Sequence, residues 1–170
     1  GILKALNLMG AKLFIKNKRN INGEIVADIE TKSSELNGCE LNKDMARLMI
    51  DEYPIVSIAA SFANSPSIFK GLGELRVKES DRLELIRYNL YNCGIFSKII
   101  GDDLLVDPTN NFSPKQKIIR TDCDHRIAMA FAIMGTRLGI NLNIKDSEYI
   151  KTSFPKFIKE LNSLGGNLTE

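Results

Sequence analysis

Three short polar clusters carry the residue types able to do chemistry in this 170-residue chain: Asp51-Glu52, Arg76-Val77-Lys78-Glu79-Ser80-Asp81-Arg82 and Asp124-His125-Arg126. Each stands at the start of an apolar stretch patterned as a helix. Helix N-termini expose unpaired N–H groups and partial positive charge, so acidic residues are expected there as caps. Lysine and arginine are not, because the same field repels them. Lys78, Arg82 and Arg126 in such places point to an anion, a phosphate or a carboxylate, gathered among them. Plainer readings stand beside this one. Asp51 and Asp124 also read as simple caps. Glu79 and Arg82, three residues apart, could pair on a helix surface for a few tenths of a kcal/mol. His125 reads equally as a satisfied structural histidine or as a site residue. If the second helix begins early, Lys78 and Arg82 are like charges at the i,i+4 spacing, mildly destabilising unless an anion lies between them. Gly71-Leu72-Gly73 lacks the third glycine or the Gly-Lys-Ser/Thr of a phosphate loop and is set aside.

The elements that must position these clusters alternate along the chain. Ala11–Ile15 and Gly23–Ile29 show short alternating or β-branched runs that predict strands. Ile55 to Ala63 is a small-residue apolar stretch, followed by the strand-like Ser67-Ile68-Phe69-Lys70. Ser80-Asp81 supplies cap chemistry before Leu83, Leu85, Ile86 and Leu90, and Gly94 ends that helix. Ile95 to Ile100 with Leu104 to Asp107 predicts a hairpin. Lys117 to Arg120 reads as a strand feeding the Asp124 helix, and Ile140 to Ile144 as the strand after it. Pro155 is expected in the first turn of a last helix, Pro155 to Leu164. Asp107 to Pro114 is the expected exposed loop. Asp51 and Asp124 are 73 residues apart, and the helix-ending glycines Gly94 and Gly165 are 71 apart. A unit of about 70 residues therefore recurs. Strands alternating with helices predict an α/β domain.

Composition sets the outer bounds. Hydrophobic residues make up 44% and charged residues 26%, with a net charge of +2. That is an ordinary globular balance, which excludes a disordered tail, a collagen-like fibre and a disulfide scaffold, and gives no reason to expect nucleic acid as partner. No apolar run is long enough to cross a bilayer, so no membrane partner is expected. Cys39, Cys93 and Cys123 are odd in number and widely spaced, and with one histidine they predict free thiols in a reducing cytoplasm, not a zinc site. The start Gly1-Ile2-Leu3-Lys4, with neither Met nor a signal architecture, is expected of a cut inside a longer protein.

Asp51-Glu52-Tyr53-Pro54, Leu75 to Arg82 and Asp124-His125-Arg126-Ile127-Ala128-Met129, in that order, resemble the enolpyruvyl transferase family, and within it the branch acting on shikimate 3-phosphate. The resemblance covers essentially all 170 residues. It implies a two-domain enzyme built of βαβαββ units, of which residues 1–170 are a nearly complete C-terminal domain without its N-terminal partner. It further implies transfer of the enolpyruvyl group of phosphoenolpyruvate to the 5-hydroxyl of shikimate 3-phosphate, with release of phosphate. Such an addition and elimination needs two positioned acid–base groups and several cations, with no cofactor and no metal.

Carried over by motif, Asp51 would touch the shikimate hydroxyls and accept a proton, and Glu79 would give and remove the proton at the methylene carbon. Which carboxylate serves which half-step stays open. Lys78 would contact shikimate 3-phosphate and help hold Asp51 ionised. Arg82 and Arg126 would clamp phosphoenolpyruvate, with His125 in support. Many members place a lysine two residues before Phe-Pro. Here that position is Thr152, and Lys151, one residue earlier, is the weakest match among the candidate contacts. The chain alone is expected to fold but not to turn over, because the resemblance places the main shikimate 3-phosphate pocket in the other domain. A sister transferase of nucleotide-sugars is disfavoured by the Arg-Val-Lys-Glu-Ser-Asp-Arg run. A non-catalytic anion-binding module is the remaining alternative.

Overall fold

The computed structural model describes residues 1–108, 117–138 and 141–169. In chain order the elements are α1 (Ile2–Leu8), β1 (Lys12–Ile21), β2 (Glu24–Lys32), β3 (Glu40–Leu41), α2 (Lys43–Met49), α3 (Tyr53–Ala60), β4 (Ser67–Phe69), α4 (Arg82–Asn92), β5 (Phe96–Ile100), β6 (Asp103–Asp107), β7 (Ile118–Ile119), α5 (His125–Leu138), β8 (Asn143–Ile144), α6 (Ile150–Ser153) and α7 (Phe157–Ser163). Three 3-10 turns, Ile50–Glu52, Gly73–Val77 and Ser147–Tyr149, join them. The α/β expectation holds.

Local chemistry sets the boundaries. Asn42 caps α2 by accepting from the Asp44 and Met45 N–H groups, and Asp81 caps α4 by accepting from Glu84 N–H. Gly94, at φ +84°, turns the chain out of α4 into β5, where a side chain would be strained. The β1–β2 ribbon closes through Asn22-Gly23, both at positive φ, the pairing that a two-residue hairpin turn demands. With that turn β1 runs on to Ile21, past the Ile15 read from the alternation, and β2 pairs with it from Glu24 to Lys32, beyond the expected Ile29.

A four-stranded sheet in the order β3-β4-β6-β5 backs the helices, with β3 and β4 parallel and the other pairs antiparallel. β7 and β8 form a separate parallel pair around α5. The parallel strand–helix–strand unit thus occurs twice, each time followed by a helix that ends at a glycine of positive φ (Gly94 and Gly165). No counterpart of the β5–β6 hairpin follows α7 among the described residues. The core joins α3 (Tyr53, Val56), α4 (Leu83, Ile86, Leu90), α5 (Ile127, Phe131, Met134) and the sheet (Phe69, Leu104, Val106), all essentially inaccessible to solvent. Each such side chain contributes about 1.5–3 kcal/mol by leaving water. This packing fixes the N-terminal ends of α3, α4 and α5 relative to one another.

Two features depart from expectation. α1, α2 and α6 carry no strong periodic signal and arise from packing onto the core. α7 begins at Phe157, so Pro155 lies in the turn before it instead of its first turn; the backbone breaks at Phe154 (φ −138°, ψ 76°). The expected loop lies outside the described residues beyond residue 108, as does Ile140 at the start of the expected strand, of which β8 is the described part.

Candidate active site

Asp51 sits on the 3-10 turn that leads into α3, and three cations converge on it. Arg82 Nη1 donates to Asp51 Oδ1 at 2.9 Å, Lys78 Nζ lies 3.5 Å from the same oxygen, and Arg126 Nη2 lies 3.9 Å from Oδ2. Arg126 Nη1 also donates to the Asp51 backbone carbonyl at 3.3 Å. The partners are 31 and 75 residues away along the chain. Only the docking of α3, α4 and α5 brings them together.

Arg82 is the hub. It is the first residue of α4, its side chain is 1% exposed, and its guanidinium meets three carboxylates: Asp51, Glu79 at 2.5 Å through Nη2, and Asp124 at 2.7 Å through Nε. A buried guanidinium is tolerable only when paired and hydrogen-bonded, and here the planar fork is matched on three edges. The expected Glu79–Arg82 pair does form, but as one edge of a buried guanidinium and not on a helix surface. Lys78 precedes α4, so it is not an i,i+4 helix neighbour of Arg82, and carboxylates face it instead.

Asp124 ties two cations to one anchor. Its Oδ1 accepts from the backbone N–H of Arg126 and Ile127, starting α5, while Oδ2 takes Arg82 Nε and Ser80 Oγ. The cap reading of Asp124 is thus correct, and so is a positional one. Burial would raise its carboxyl, yet the Arg82 guanidinium, Ser80 hydroxyl and Arg126 amide together hold it below the usual carboxylate range. Two consecutive left-handed residues, Asp122 (φ 50°) and Cys123 (φ 64°), aim Asp124 into the cluster. Such conformations cost energy for non-glycine residues and persist where tertiary contacts enforce them.

A pocket of about 170 Å³ opens beside the cluster, with Asp51, Glu52 and Arg126 at its polar rim and Ile55, Met129 and Phe157 among its apolar walls. Arg76 does not face it. It staples the preceding loop, bonding Asp102, the Gly101 carbonyl and the cap residue Asp81. His125 is half-buried at the first position of α5 and its side chain has no hydrogen-bond partner among the described residues, so it is not a satisfied structural histidine. Lys151 is exposed on α6. Sequence reasoning placed Ser80 and Glu52 in its polar clusters without giving them a role, and missed Glu74. Glu74 is four residues before Lys78 and 2.6 Å from its Nζ, a spacing that could have found it. No group of three or more His, Cys, Asp or Glu side chains among the described residues is disposed to hold a metal ion, and no described helix is long and apolar enough to cross a membrane.

The constellation sets carboxylates able to take or give a proton next to cations suited to phosphate or carboxylate oxygens. Comparisons agree with that chemistry. The family model described as EPSP synthase (3-phosphoshikimate 1-carboxyvinyltransferase) matches residues 1–161. The 3-phosphoshikimate 1-carboxyvinyltransferase of Paramagnetospirillum magneticum is 41% identical over 169 residues, and that of Methylobacterium radiotolerans 40% over 168. Both alignments cover 99% of this chain but only 38% and 37% of the relatives. The solved EPSP synthase of Acinetobacter baumannii superposes with a TM-score of 0.84 at 33% identity, over 99% of this chain and 39% of that one. The enolpyruvyl transferase NikO of Streptomyces tendae shares the fold, with a TM-score of 0.62 at 18% identity.

Proposed function

The chain belongs to the EPSP synthase family, and we propose that it forms one wall of the active site of a 3-phosphoshikimate 1-carboxyvinyltransferase, as the C-terminal domain of that enzyme. The observation that carries this reading is the meeting of Asp51, Lys78, Glu79, Arg82 and Arg126 from three distant segments. In the proposed reaction a proton goes to the methylene carbon of phosphoenolpyruvate while the 5-hydroxyl oxygen of shikimate 3-phosphate bonds to its central carbon. The hydroxyl proton leaves to a carboxylate. The resulting methyl group then loses a proton, the double bond reforms, and the carbon–oxygen bond to phosphate breaks.

Asp51, ringed by three cations, is the proposed acceptor of the hydroxyl proton. Glu79, half-exposed and held among the described residues by Arg82, is the group proposed to carry the proton at carbon. Arg82 reaches phosphoenolpyruvate if Glu79 yields its edge of the guanidinium, since Asp51 and Asp124 hold the other two. Arg126, at the pocket rim, takes the remaining oxyanion contact. Lys78 meets the phosphate of shikimate 3-phosphate, His125 supports the Arg126 clamp, and Lys151 stays the weakest of the candidate contacts. The proposed setting is the cytoplasmic route to aromatic amino acids.

The chain spans about 38% of the length of the relatives it matches, so turnover is proposed for the longer protein and not for these residues alone. Phosphate release from phosphoenolpyruvate tests it. The longer protein should release phosphate only when shikimate 3-phosphate is present, and Glu79→Gln should bind both substrates without turnover. An intact, folded longer protein that releases none refutes the assignment. Turnover by residues 1–170 alone at the rate of the longer protein refutes the division of labour.

A further inference from the structure

Five carboxylates (Asp51, Glu52, Glu74, Glu79, Asp124) surround three cations (Lys78, Arg82, Arg126), an excess of two negative charges. Each of the three cations has a carboxylate partner, so an incoming oxyanion competes with a carboxylate. Lys78 shows which one. Its Nζ lies 2.6 Å from Glu74 Oε1 and 3.5 Å from Asp51 Oδ1, an oxygen that Arg82 also occupies. Glu74 is 58% exposed, the most open carboxylate of the five, and can turn into water at least cost. We propose that Glu74 is a positioning residue that holds the Lys78 ammonium off Asp51 and releases it to the phosphate of an incoming ligand. The competition rests on the reading of Lys78 as a phosphate contact; the positioning does not.

Glu74 does this without holding the turn together. The turn Gly73–Val77 is pinned by Leu72 N–H to the Asp102 carbonyl, by Arg76 on Asp102 and Gly101, and by Gly73 packed so closely on Asp102 that an added Cβ would lie 2.7 Å from its Oδ2. None of these contacts uses the Glu74 side chain, so Glu74→Gln leaves the turn in place. The groups facing Lys78 are Glu74 from its own segment and Asp51 from the turn before α3, with Arg82 and Arg126 behind Asp51. Glu74 chiefly, and Asp51 after it, raise the Lys78 ammonium above its ordinary range, against some desolvation.

The test is amine labelling of the 170-residue chain across a pH series, followed by mass spectrometry of Lys78, with Lys70 (paired to Glu40) as internal reference. In Glu74→Gln the Lys78 labelling curve should shift to lower pH while that of Lys70 stays put, and Glu74→Asp should recover part of the shift. An unmoved Lys78 curve overturns the positioning role whatever the substrate is. Labelling is then repeated with phosphoenolpyruvate or inorganic phosphate as protectant. Lys78 of Glu74→Gln should be protected at about two- to five-fold lower anion concentration than the wild type, the range for losing an exposed ion pair. Equal or higher concentrations overturn the competition. No protection in either protein, with the pH shift intact, overturns the phosphate role of Lys78 and the competition with it, leaving the positioning demonstrated.

Discussion

Replacing Asp124 by asparagine probes the anchor of the site. Asparagine keeps a cap oxygen for the Arg126 and Ile127 amides but removes the charge opposite a guanidinium that is 1% exposed. Breaking a buried pair outright costs about 3–5 kcal/mol. Arg82 keeps Asp51 and Glu79, so Asp124→Asn should fall at or just below the lower end, near 2–3 kcal/mol on that scale. Asp124→Ala also loses the cap and should cost about 1 kcal/mol more. Urea unfolding with unchanged slope reads both values. The pH dependence has a definite sign. The folded-state carboxyl is depressed, so its stabilisation is fully present above the unfolded value near 4 and is lost as pH falls through the lower folded value. The acid limb of stability below about pH 4 should therefore be shallower in Asp124→Asn than in the wild type. An Asp124→Asn protein within about 0.5 kcal/mol of wild type, a difference usual for surface changes, or one with the same acid limb, would refute the anchoring role.

Gly23→Ala, at φ +88°, should destabilise the chain by about 1–2 kcal/mol, read as a lowered urea midpoint. Tyr53→Phe should be neutral or stabilising by up to about 1 kcal/mol in the same assay, because the buried Tyr53 hydroxyl has no hydrogen-bond partner among the described residues. Iodoacetamide at pH 8 should tag exposed Cys123 in the folded chain and Cys93 only after unfolding, since burial both shields the Cys93 thiol and pushes its pKa up to about 11; mass spectrometry distinguishes the two.

The α4 segment was legible from its own residues, because cap, apolar periodicity and terminal glycine all agree over Asp81–Gly94. The strand pairs were legible where alternation and turn signals coincide, as at β5–β6. α1, α2 and α6 were not, being seven residues or fewer, too short for a periodic pattern to outweigh tertiary packing. At the site, residue types singled out cations that the fold brings together, but spacing carries no information about who pairs with whom. That Arg82 would turn inward, bonded to three carboxylates, depends on how α3 and α5 dock, and the one-dimensional pattern is silent on docking.

Because Asp51 and Arg126 stand 75 residues apart and touch, the constellation closes through long loops whose entropy is spent before any contact rewards it. Hairpins and single helices form within microseconds; a three-way junction of this kind waits for the whole assembly. No excised peptide can reproduce it, and no half-folded chain can recognise a metabolite through it. Whatever anion occupies this junction therefore favours the completed fold over every looser state, and protects the chain by mass action as its concentration climbs past its dissociation constant.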